Sequence, residues 1–253
     1  MSVRTIEERS GSWLRIVLDG PTANLLSRDM VQALAAVLDT PGPLRKWITF
    51  EGAGNEFCFG AAVQEHVPGP MGHVLRETHA LLRRILALPS STAALVQGRC
   101  LGGGFELALA CDVIVAADDA LLGLPEIKLA AFPPAGAALL PLRVGASRAT
   151  AMVLTGDAEP ARAWRDAGLV QVLTPRAELI DAAGRWFDKY LAPRSAVALS
   201  AAAEASRLAL RSIAVPAIAV AERLYLERVL PTADAAEGVR AFVEKRAPRW
   251  KDQ

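Results

Sequence analysis

The most unusual stretch of this 253-residue chain runs Gln97-Gly98-Arg99-Cys100-Leu101-Gly102-Gly103-Gly104-Phe105-Glu106-Leu107-Ala108-Leu109-Ala110-Cys111. It follows the short apolar run Ala93-Ala94-Leu95-Val96, which predicts a strand. The three consecutive glycines permit a tight turn, and the apolar segment after them predicts a buried helix. We therefore expect the chain to pass from a strand, through a turn without side chains, directly into a core helix.

Strands and helices alternate on both sides of this stretch. The apolar runs predict further strands at Trp13–Leu18, Trp47–Phe50, Asp112–Ala117 and Gly168–Leu173. Helical spacing predicts helices from an N-cap at Ser27 to a break at Pro41, and over His73–Leu88, Leu139–Leu154 and Ala158–Ala167. This alternation is typical of an α/β fold.

The pattern changes from about Asp181. Strand signals disappear, and Ala-rich amphipathic segments continue to the end, with predicted breaks near Pro193, Pro216, Pro231 and Pro248. We therefore predict two parts, an α/β core over residues 1–190 and a helical region over residues 191–253.

Composition excludes several classes of protein. With 52% hydrophobic and 22% charged residues, the chain does not have the composition of a disordered protein. A net charge of +1 gives no strong electrostatic field to attract nucleic acid or an anionic membrane. The longest uncharged stretches, 85–98 and 129–142, are shorter than the ~20 residues needed to span a bilayer.

The N-terminus and the cysteines bear on the compartment. The charged N-terminus lacks a secretory signal, and the three cysteines have no zinc or disulfide spacing. We expect a cytoplasmic protein without a metal.

Two glutamates in apolar surroundings are the candidate catalytic groups. Glu106 lies within the apolar helix, where an ionised carboxylate without partners would be costly and its pKa would rise. Glu126 follows a proline in an apolar segment. The alternatives are a surface position for Glu106 and an ion pair with Lys128 for Glu126. Two carboxyls whose surroundings separate their pKa values can divide the acid and base roles around one water molecule.

The glycine turn supplies a third chemical element. Backbone N–H groups at a helix start can stabilise a developing negative charge. An oxyanion hole needs two such groups from different segments, and the small-residue loop Gly60-Ala61-Ala62 is the predicted source of the second.

Six collinear motifs together resemble the crotonase (enoyl-CoA hydratase/isomerase) superfamily. They are Phe59-Gly60-Ala61-Ala62, Gly98-x-x-x-Gly102-Gly103-Gly104-x-Glu106-Leu107, Pro125-Glu126-Ile127-x-Leu129, Leu154-Thr155-Gly156, Ala167-Gly168-Leu169-Val170 and Glu237-Gly238-x-x-Ala241-Phe242-x-Glu244-Lys245-Arg246. Each motif is weak alone, but the set covers nearly the whole chain and is highly specific.

The resemblance implies a ClpP-like spiral of ββα turns, with C-terminal helices that build a homotrimer or a dimer of trimers. It implies an acyl-CoA thioester as substrate, with coenzyme A as part of the substrate and no cofactor. By position, the amides of Ala61 and Gly103 would polarise the thioester oxygen, while Glu106 and Glu126 would activate water and move its protons. The other expected substrate contacts are Phe59, Gly60, Val63, Gly102, Phe132, Pro134 and Lys245. Retention of both glutamates favours hydration over isomerisation.

Within the superfamily, the chain most resembles the cyclohexa-1,5-diene-1-carbonyl-CoA hydratases, at residues 57–66, 98–101, 132–135 and 224–227. These enzymes act after benzoyl-CoA reduction in anaerobic aromatic degradation. They add water 1,4 across a conjugated ring diene to give 6-hydroxycyclohex-1-ene-1-carbonyl-CoA, through a dienolate that an oxyanion hole stabilises. The resemblance therefore implies a cyclic dienoyl-CoA as the substrate.

Two departures from the general hydratase pattern bear on the substrate. Ala62 stands where most hydratases have an acidic residue, and Pro134 replaces a glycine whose N–H helps to hold water. Proline cannot donate that hydrogen bond, so we expect altered water placement and a reshaped pocket. Phe132 is either a wall of that pocket or ordinary core packing.

Other functions have weaker support. His66, His73 and His79 lack the spacing of a ligand pair on one helix and are interpreted as surface or structural residues. No histidine follows Ser147, as a hydrolase triad of that order requires, and no nucleotide-binding glycine motif is present. Two alternatives stay open: a general hydratase acting on linear enoyl-CoA, and a non-catalytic relative that binds RNA or serves assembly.

Overall fold

The computed structural model describes residues 2–21, 23–40, 44–65 and 69–253. Its strands in chain order are β1 (Val3–Glu8), β2 (Trp13–Leu18), β3 (Trp47–Gly52), β4 (Ser91–Val96), β5 (Arg99–Leu101), β6 (Val113–Ala117), β7 (Leu121–Gly123), β8 (Ala158–Pro160) and β9 (Val172–Thr174). Its α-helices are α1 (Arg28–Asp39), α2 (Pro70–Ala87), α3 (Gly103–Ala110), α4 (Pro134–Val144), α5 (Ala146–Thr155), α6 (Ala161–Asp166), α7 (Leu179–Tyr190), α8 (Ala196–Leu224) and α9 (Ala233–Val243).

The strands form two sheets. The larger has the order β1-β2-β3-β4-β6-β9, in which β1 and β2 are antiparallel and all the other neighbours are parallel. The smaller has the order β5-β7-β8. No helix among the described residues combines the length and apolar character needed to cross a membrane.

Successive turns of the chain supply one strand to each sheet and then a helix. Thus β4, β5 and α3 form one turn, and β6, β7 and α4 form the next. In the turn before them, β3 is followed by a single parallel bridge between Cys58 and Cys100, and then by α2. This stacking is the ββα spiral that the resemblance implied, and the α/β prediction is confirmed.

Several predicted elements have different bounds. The predicted helix over 139–154 is two helices, α4 and α5, because Gly145 between them has φ +86°. The segment predicted as helix over 158–167 begins with β8, which pairs with β7, before α6 starts. The strand β1 was not predicted, because its sequence is rich in charged residues; it is the edge strand of the larger sheet and pairs with β2. Ser27 caps α1 as predicted, accepting a hydrogen bond from the Met30 amide.

The predicted break at Pro216 is wrong, because α8 continues through this residue to Leu224. Ala214 and Ile218 are fully buried against the main core on either side of the proline. Tertiary packing therefore holds the helix together where the local sequence would end it. The proposed boundary at 190/191 falls between α7 and α8, and it stays a prediction.

The larger sheet has apolar packing on both faces. One face contacts α7 through a cluster in which Trp13 lies 5.1 Å from Trp47 and 5.7 Å from Phe187 between ring centroids. The other face belongs to the main core, which includes Ile16, Phe50 and most of α3. The helix that carries Glu106 is therefore enclosed by the fold and held in one position.

Candidate active site

The glycine turn places Glu106 at the start of a fully enclosed helix. Gly102 is the N-cap of α3, and its carbonyl accepts a hydrogen bond of 2.9 Å from the Glu106 amide. All residues of α3 from Gly104 onward are buried. Glu106 is consequently buried within the fold, and the surface alternative for this residue is wrong.

A cavity of about 650 Å³ opens beside this helix. Both Glu106 and Glu126 line it, and so do Ala61 and Gly103. Most of the remaining wall is apolar and includes Leu25, Leu26, Phe59, Met71, Val74, Leu75, Leu101, Leu129, Phe132, Tyr225 and Phe242. Two carboxyls and two backbone amides therefore share one predominantly apolar chamber.

Glu106 is held by the first turn of α4. The Gly136 amide donates a hydrogen bond of 2.7 Å to its Oε1, and the amide of Ala135 also stabilises the carboxylate. Burial raises the pKa of Glu106, while a positive charge on His79 and these two amides act in the opposite direction. A helix N-terminus favours a negative charge, so the amides offset part of the effect of burial, and the pKa of Glu106 stays above its ordinary value.

Glu126 has different surroundings. It lies in a short 3₁₀ turn, Pro125–Leu129, and its buried Oε2 has no hydrogen-bond partner among the described residues. Lys128 instead pairs with Asp157 at 2.9 Å, so the predicted alternative of a Glu126–Lys128 ion pair is wrong. Burial and the neighbouring charge of Glu106 raise the pKa of Glu126 to about 8. At neutral pH this carboxyl keeps its proton.

The two predicted oxyanion amides come from segments that touch. Gly60 has φ +77°, and a Cβ placed on it would lie 2.6 Å from the Gly103 nitrogen, so only glycine fits there. A Cβ on Gly103 would lie 3.8 Å from the Ala61 nitrogen. Within the described part of the chain, neither the Ala61 nor the Gly103 amide donates a hydrogen bond to another residue. Both are available to a ligand in the cavity.

The other predicted substrate contacts divide into two groups. Those in the cavity wall are Phe59, Val63, Gly102, Phe132 and Pro134. Gly60 lies directly behind the wall against Gly103, and Lys245 lies outside it, exposed and with φ +52°. The neighbouring Arg246 lines the cavity instead. The predicted contact between Lys245 and the substrate stays a prediction, and it would lie outside the cavity, on the protein surface.

Sequence reasoning missed one residue of the site, Tyr225, and left the histidines as surface or structural residues. Tyr225 lies in a π-helical turn after α8, is buried, and packs edge-to-face on Phe132 at 5.6 Å between ring centroids. His79 was interpreted as surface or structural; its ring is buried and its Nδ1 lies 2.6 Å from the Glu222 Oε2, which fits a structural residue. His73 is exposed, and His66 lies outside the described residues. The π turn has no sequence signature, but the buried position of His79 on the apolar face of α2 was available from helical spacing.

Comparison with known proteins agrees with this geometry. A family model described as enoyl-CoA hydratase/isomerase matches residues 8–253. A cyclohexa-1,5-dienecarbonyl-CoA hydratase from Thauera aromatica is 37% identical over 97% of this chain and 95% of its own length. A 2,3-dehydroadipyl-CoA hydratase from Escherichia coli is 35% identical over 97% and 98%. The crystal structure of an enoyl-CoA hydratase from Mycobacterium avium subsp. paratuberculosis superposes with a TM-score of 0.88 at 27% identity, covering 100% of this chain and 99% of that one.

The chain therefore belongs to the enoyl-CoA hydratase/isomerase family. It has the crotonase fold and is a hydro-lyase of the enoyl-CoA hydratase type. The resemblance inferred from the six motifs is confirmed.

Proposed function

We propose that this enzyme adds water to a conjugated enoyl- or dienoyl-CoA thioester, and specifically to cyclohexa-1,5-diene-1-carbonyl-CoA. The observation that carries the proposal is the presence of Glu106, Glu126 and the free amides of Ala61 and Gly103 on one cavity wall. Hydration of an enoyl thioester needs a base for water, an acid for carbon and donors for the enolate oxygen. Each requirement has a candidate in this chamber.

The different surroundings of the two carboxyls assign their roles. Glu106, held by the amides of α4, is the carboxylate that takes a proton from water as the hydroxyl adds to the β-carbon. Electron density moves to the thioester oxygen, where the amides of Ala61 and Gly103 stabilise the resulting enolate or dienolate. Glu126, protonated up to about pH 8, then gives its proton to carbon, at the γ-position of a dienolate. One water molecule is consumed, and proton exchange with solvent returns Glu106 to the carboxylate and Glu126 to its protonated form.

The aromatic end of the cavity supports a ring substrate. Phe132 and Tyr225 form an edge-to-face pair in the wall and belong to the same apolar cluster as Met71. Flat aromatic surfaces pack well against a planar ring, whereas a flexible chain gains less from a rigid wall. The similarity to the Thauera aromatica hydratase supports the same substrate.

Three basic side chains line the cavity and are proposed to bind the phosphates of coenzyme A. Arg99 stacks over Phe59 at 4.6 Å from its ring centroid, Lys128 is half-exposed, and Arg246 pairs with Glu237. Each cation already has a carboxylate partner, so each remains fixed in position before the ligand arrives.

A substrate comparison tests the proposal. The purified protein is incubated separately with crotonyl-CoA and with cyclohexa-1,5-diene-1-carbonyl-CoA, and products gaining 18 mass units are followed by mass spectrometry. We expect a higher kcat/KM for the cyclic diene. Equal or faster turnover of crotonyl-CoA would replace the ring substrate by linear enoyl-CoA. Affinity for RNA without hydration of either thioester would instead favour the non-catalytic alternative.

We also propose that the enzyme is a homotrimer or a dimer of trimers. The C-terminal helix α8 exposes several large apolar side chains, among them Val197, Leu208, Ile213 and Val220. Exposed apolar side chains along the length of one helix favour a surface that a partner covers. Sedimentation equilibrium tests this: a mass of three or six times 26.8 kDa is expected, and a monomer would contradict the assembly.

A further inference from the structure

Asn24 is a buried amide side chain in the turn before α1. Its backbone has φ +55°, in the left-handed region, and only 1% of its surface is exposed. Glycine and asparagine adopt this conformation at the least cost, so the residue suits the turn. Asn24 does not line the cavity, and the proposed reaction does not use it.

The side chain of Asn24 joins this turn to a second loop. Its Nδ2 donates to three carbonyl oxygens of the loop after β3, those of Ala53, Glu56 and Phe57, at 3.0, 2.9 and 3.1 Å. Its Oδ1 accepts from the Gly20 amide at 3.1 Å. Three carbonyl oxygens around one end identify that end as the NH₂ group. One buried side chain thus ties the two loops together.

The same turn contacts the loop of the first oxyanion amide through the backbone. The Phe59 amide donates to the Ala23 carbonyl at 3.2 Å, and the Leu26 amide donates to the Gly60 carbonyl at 2.8 Å. The Gly60 carbonyl and the Ala61 N–H belong to one planar trans peptide unit, in which they point in opposite directions. The hydrogen bond from Leu26 therefore also fixes the direction of the Ala61 N–H.

We propose that Asn24 is a positioning residue of the oxyanion hole. It holds the turn so that the Leu26 amide keeps the Gly60–Ala61 peptide unit aimed at the thioester oxygen. The inference rests on the proposed function and adds to it a residue that does not touch the substrate.

The two amides of the hole are fixed in different ways. The Gly103 amide belongs to the peptide unit whose carbonyl, that of Gly102, accepts a hydrogen bond of 2.9 Å from within α3. The helix itself therefore holds this unit. The Ala61 unit lies in a loop, so its direction depends on the tertiary hydrogen bond from Leu26. Loss of the Asn24 side chain should consequently disturb one donor and leave the other in place.

The test measures the polarisation of a bound thioester carbonyl, which can be observed without turnover. The probe is butyryl-CoA labelled with ¹³C at the carbonyl carbon, because it has no double bond to hydrate. Its carbonyl stretch is recorded by isotope-edited infrared spectroscopy, free and bound to each protein. The hydrogen bonds of an oxyanion hole polarise the carbonyl and lower this frequency. We expect this shift in the wild type and the loss of most of it in Asn24→Gly, since glycine keeps the positive φ and removes only the side chain.

Kinetics and two controls separate misplacement of the amide from general loosening. In Asn24→Gly, kcat should fall by about 10²-fold with little change in KM, because an oxyanion donor acts on the transition state. Ser10→Gly places glycine at an exposed left-handed position, φ +56°. Gln97→Ala removes another buried side-chain amide, which donates to the Gly52 carbonyl at 2.6 Å and has no hydrogen bond to the turn among the described residues. Both controls should keep the wild-type infrared shift.

A backbone variant tests the same link without a change of side chain. Replacing Leu26 by its α-hydroxy acid removes only the N–H that reaches Gly60, and this ester should also lose the shift. It keeps the test decisive even if Asn24→Gly does not fold. A full wild-type shift in either protein, or equal loss in the controls, would overturn the inference.

Two outcomes in the wild type separate this inference from the proposed function. Absence of the infrared shift in the wild type would overturn both the oxyanion hole and the role of Asn24. A wild-type shift that is lost in both altered proteins, in an enzyme that hydrates neither crotonyl-CoA nor the cyclic diene, would contradict the proposed reaction alone and still support the role of Asn24.

Discussion

A methyl group on Gly102 should displace Glu126, the proposed acid, without changing its chemistry. Gly102 has φ +54°, and a Cβ built on it lies 2.7 Å from the Glu126 Oε1. Ordinary van der Waals contact begins near 3.4 Å, so in Gly102→Ala the carboxyl must move by about 0.7 Å. A displacement of about 1 Å in a catalytic group can cost 10²-fold in rate, so we expect kcat to fall by roughly one to two orders of magnitude.

The same substitution carries a backbone cost that must be separated from the catalytic effect. Alanine at this left-handed conformation is strained by about 1–3 kcal/mol. Gly54→Ala is the matched control, because Gly54 has φ +74° with no atom within 4 Å of its added Cβ. Both variants should lower the free energy of unfolding, and only Gly102→Ala should lower kcat.

The assay measures kcat for the preferred thioester together with urea unfolding of the same preparations. Wild-type kcat in a folded Gly102→Ala protein would refute the placement of Glu126 against Gly102. Equal loss of kcat in the two variants would assign the effect to strain instead of displacement.

Three further predictions concern the acid, the pocket and the core. Glu126→Gln should reduce hydration by ~10²–10⁴-fold. Glu126 has a pKa of about 8 in the folded protein against an ordinary value of 4.5, so the free energy of unfolding of the wild type should fall as the pH rises between these two values. Urea unfolding at several pH values should show a smaller fall in the variant. Tyr225→Ala should lower kcat/KM for the cyclic thioester by roughly 10–200-fold. Tyr225→Phe keeps the ring against Phe132 and should retain most of the wild-type kcat/KM. Equal losses in the two variants would contradict the role of the Tyr225 ring as part of the pocket wall. Arg207→Met should destabilise the fold by about 3–5 kcal/mol in urea unfolding, because the buried guanidinium pairs with Asp112 and donates to the Ser90 carbonyl at 2.8 Å; a change under 1 kcal/mol would contradict this.

The candidate site could largely be predicted because its chemistry depends on rare local patterns. A glutamate within an apolar helix after three glycines has few structural explanations, and Glu106 is indeed enclosed. The glycine turn likewise predicted a strand-to-helix junction, which the structure places at Gly102. The parallel strands β2, β3, β4 and β6 of the larger sheet also follow from apolar runs, since parallel strands buried on both faces are continuously apolar, whereas the antiparallel edge strand β1 does not.

The features that could not be predicted depend on distant partners. Residues 158–160 have no strong strand pattern, and they form β8 because β7 offers an unpaired edge. Pro216 should end a helix by its local chemistry, but burial of α8 against the core outweighs that cost. Similarly, Lys128 pairs with Asp157, 29 positions away, and the Oε2 of Glu126 has no hydrogen-bond partner among the described residues. Each outcome is a competition between a local preference and a tertiary contact.

The position of Pro134 bears on the roles proposed for the two glutamates. The sequence suggested that loss of an N–H at this residue alters water placement. In the structure Pro134 is the first residue of α4, where the N–H has no helical acceptor and proline is well tolerated. The donors that hold Glu106 are the next two amides, of Ala135 and Gly136, which proline leaves intact. Because α4 offers its positive end to Glu106 and not to Glu126, main-chain dipoles give two chemically identical side chains different surroundings, and this difference supports the proposed division into a base and an acid.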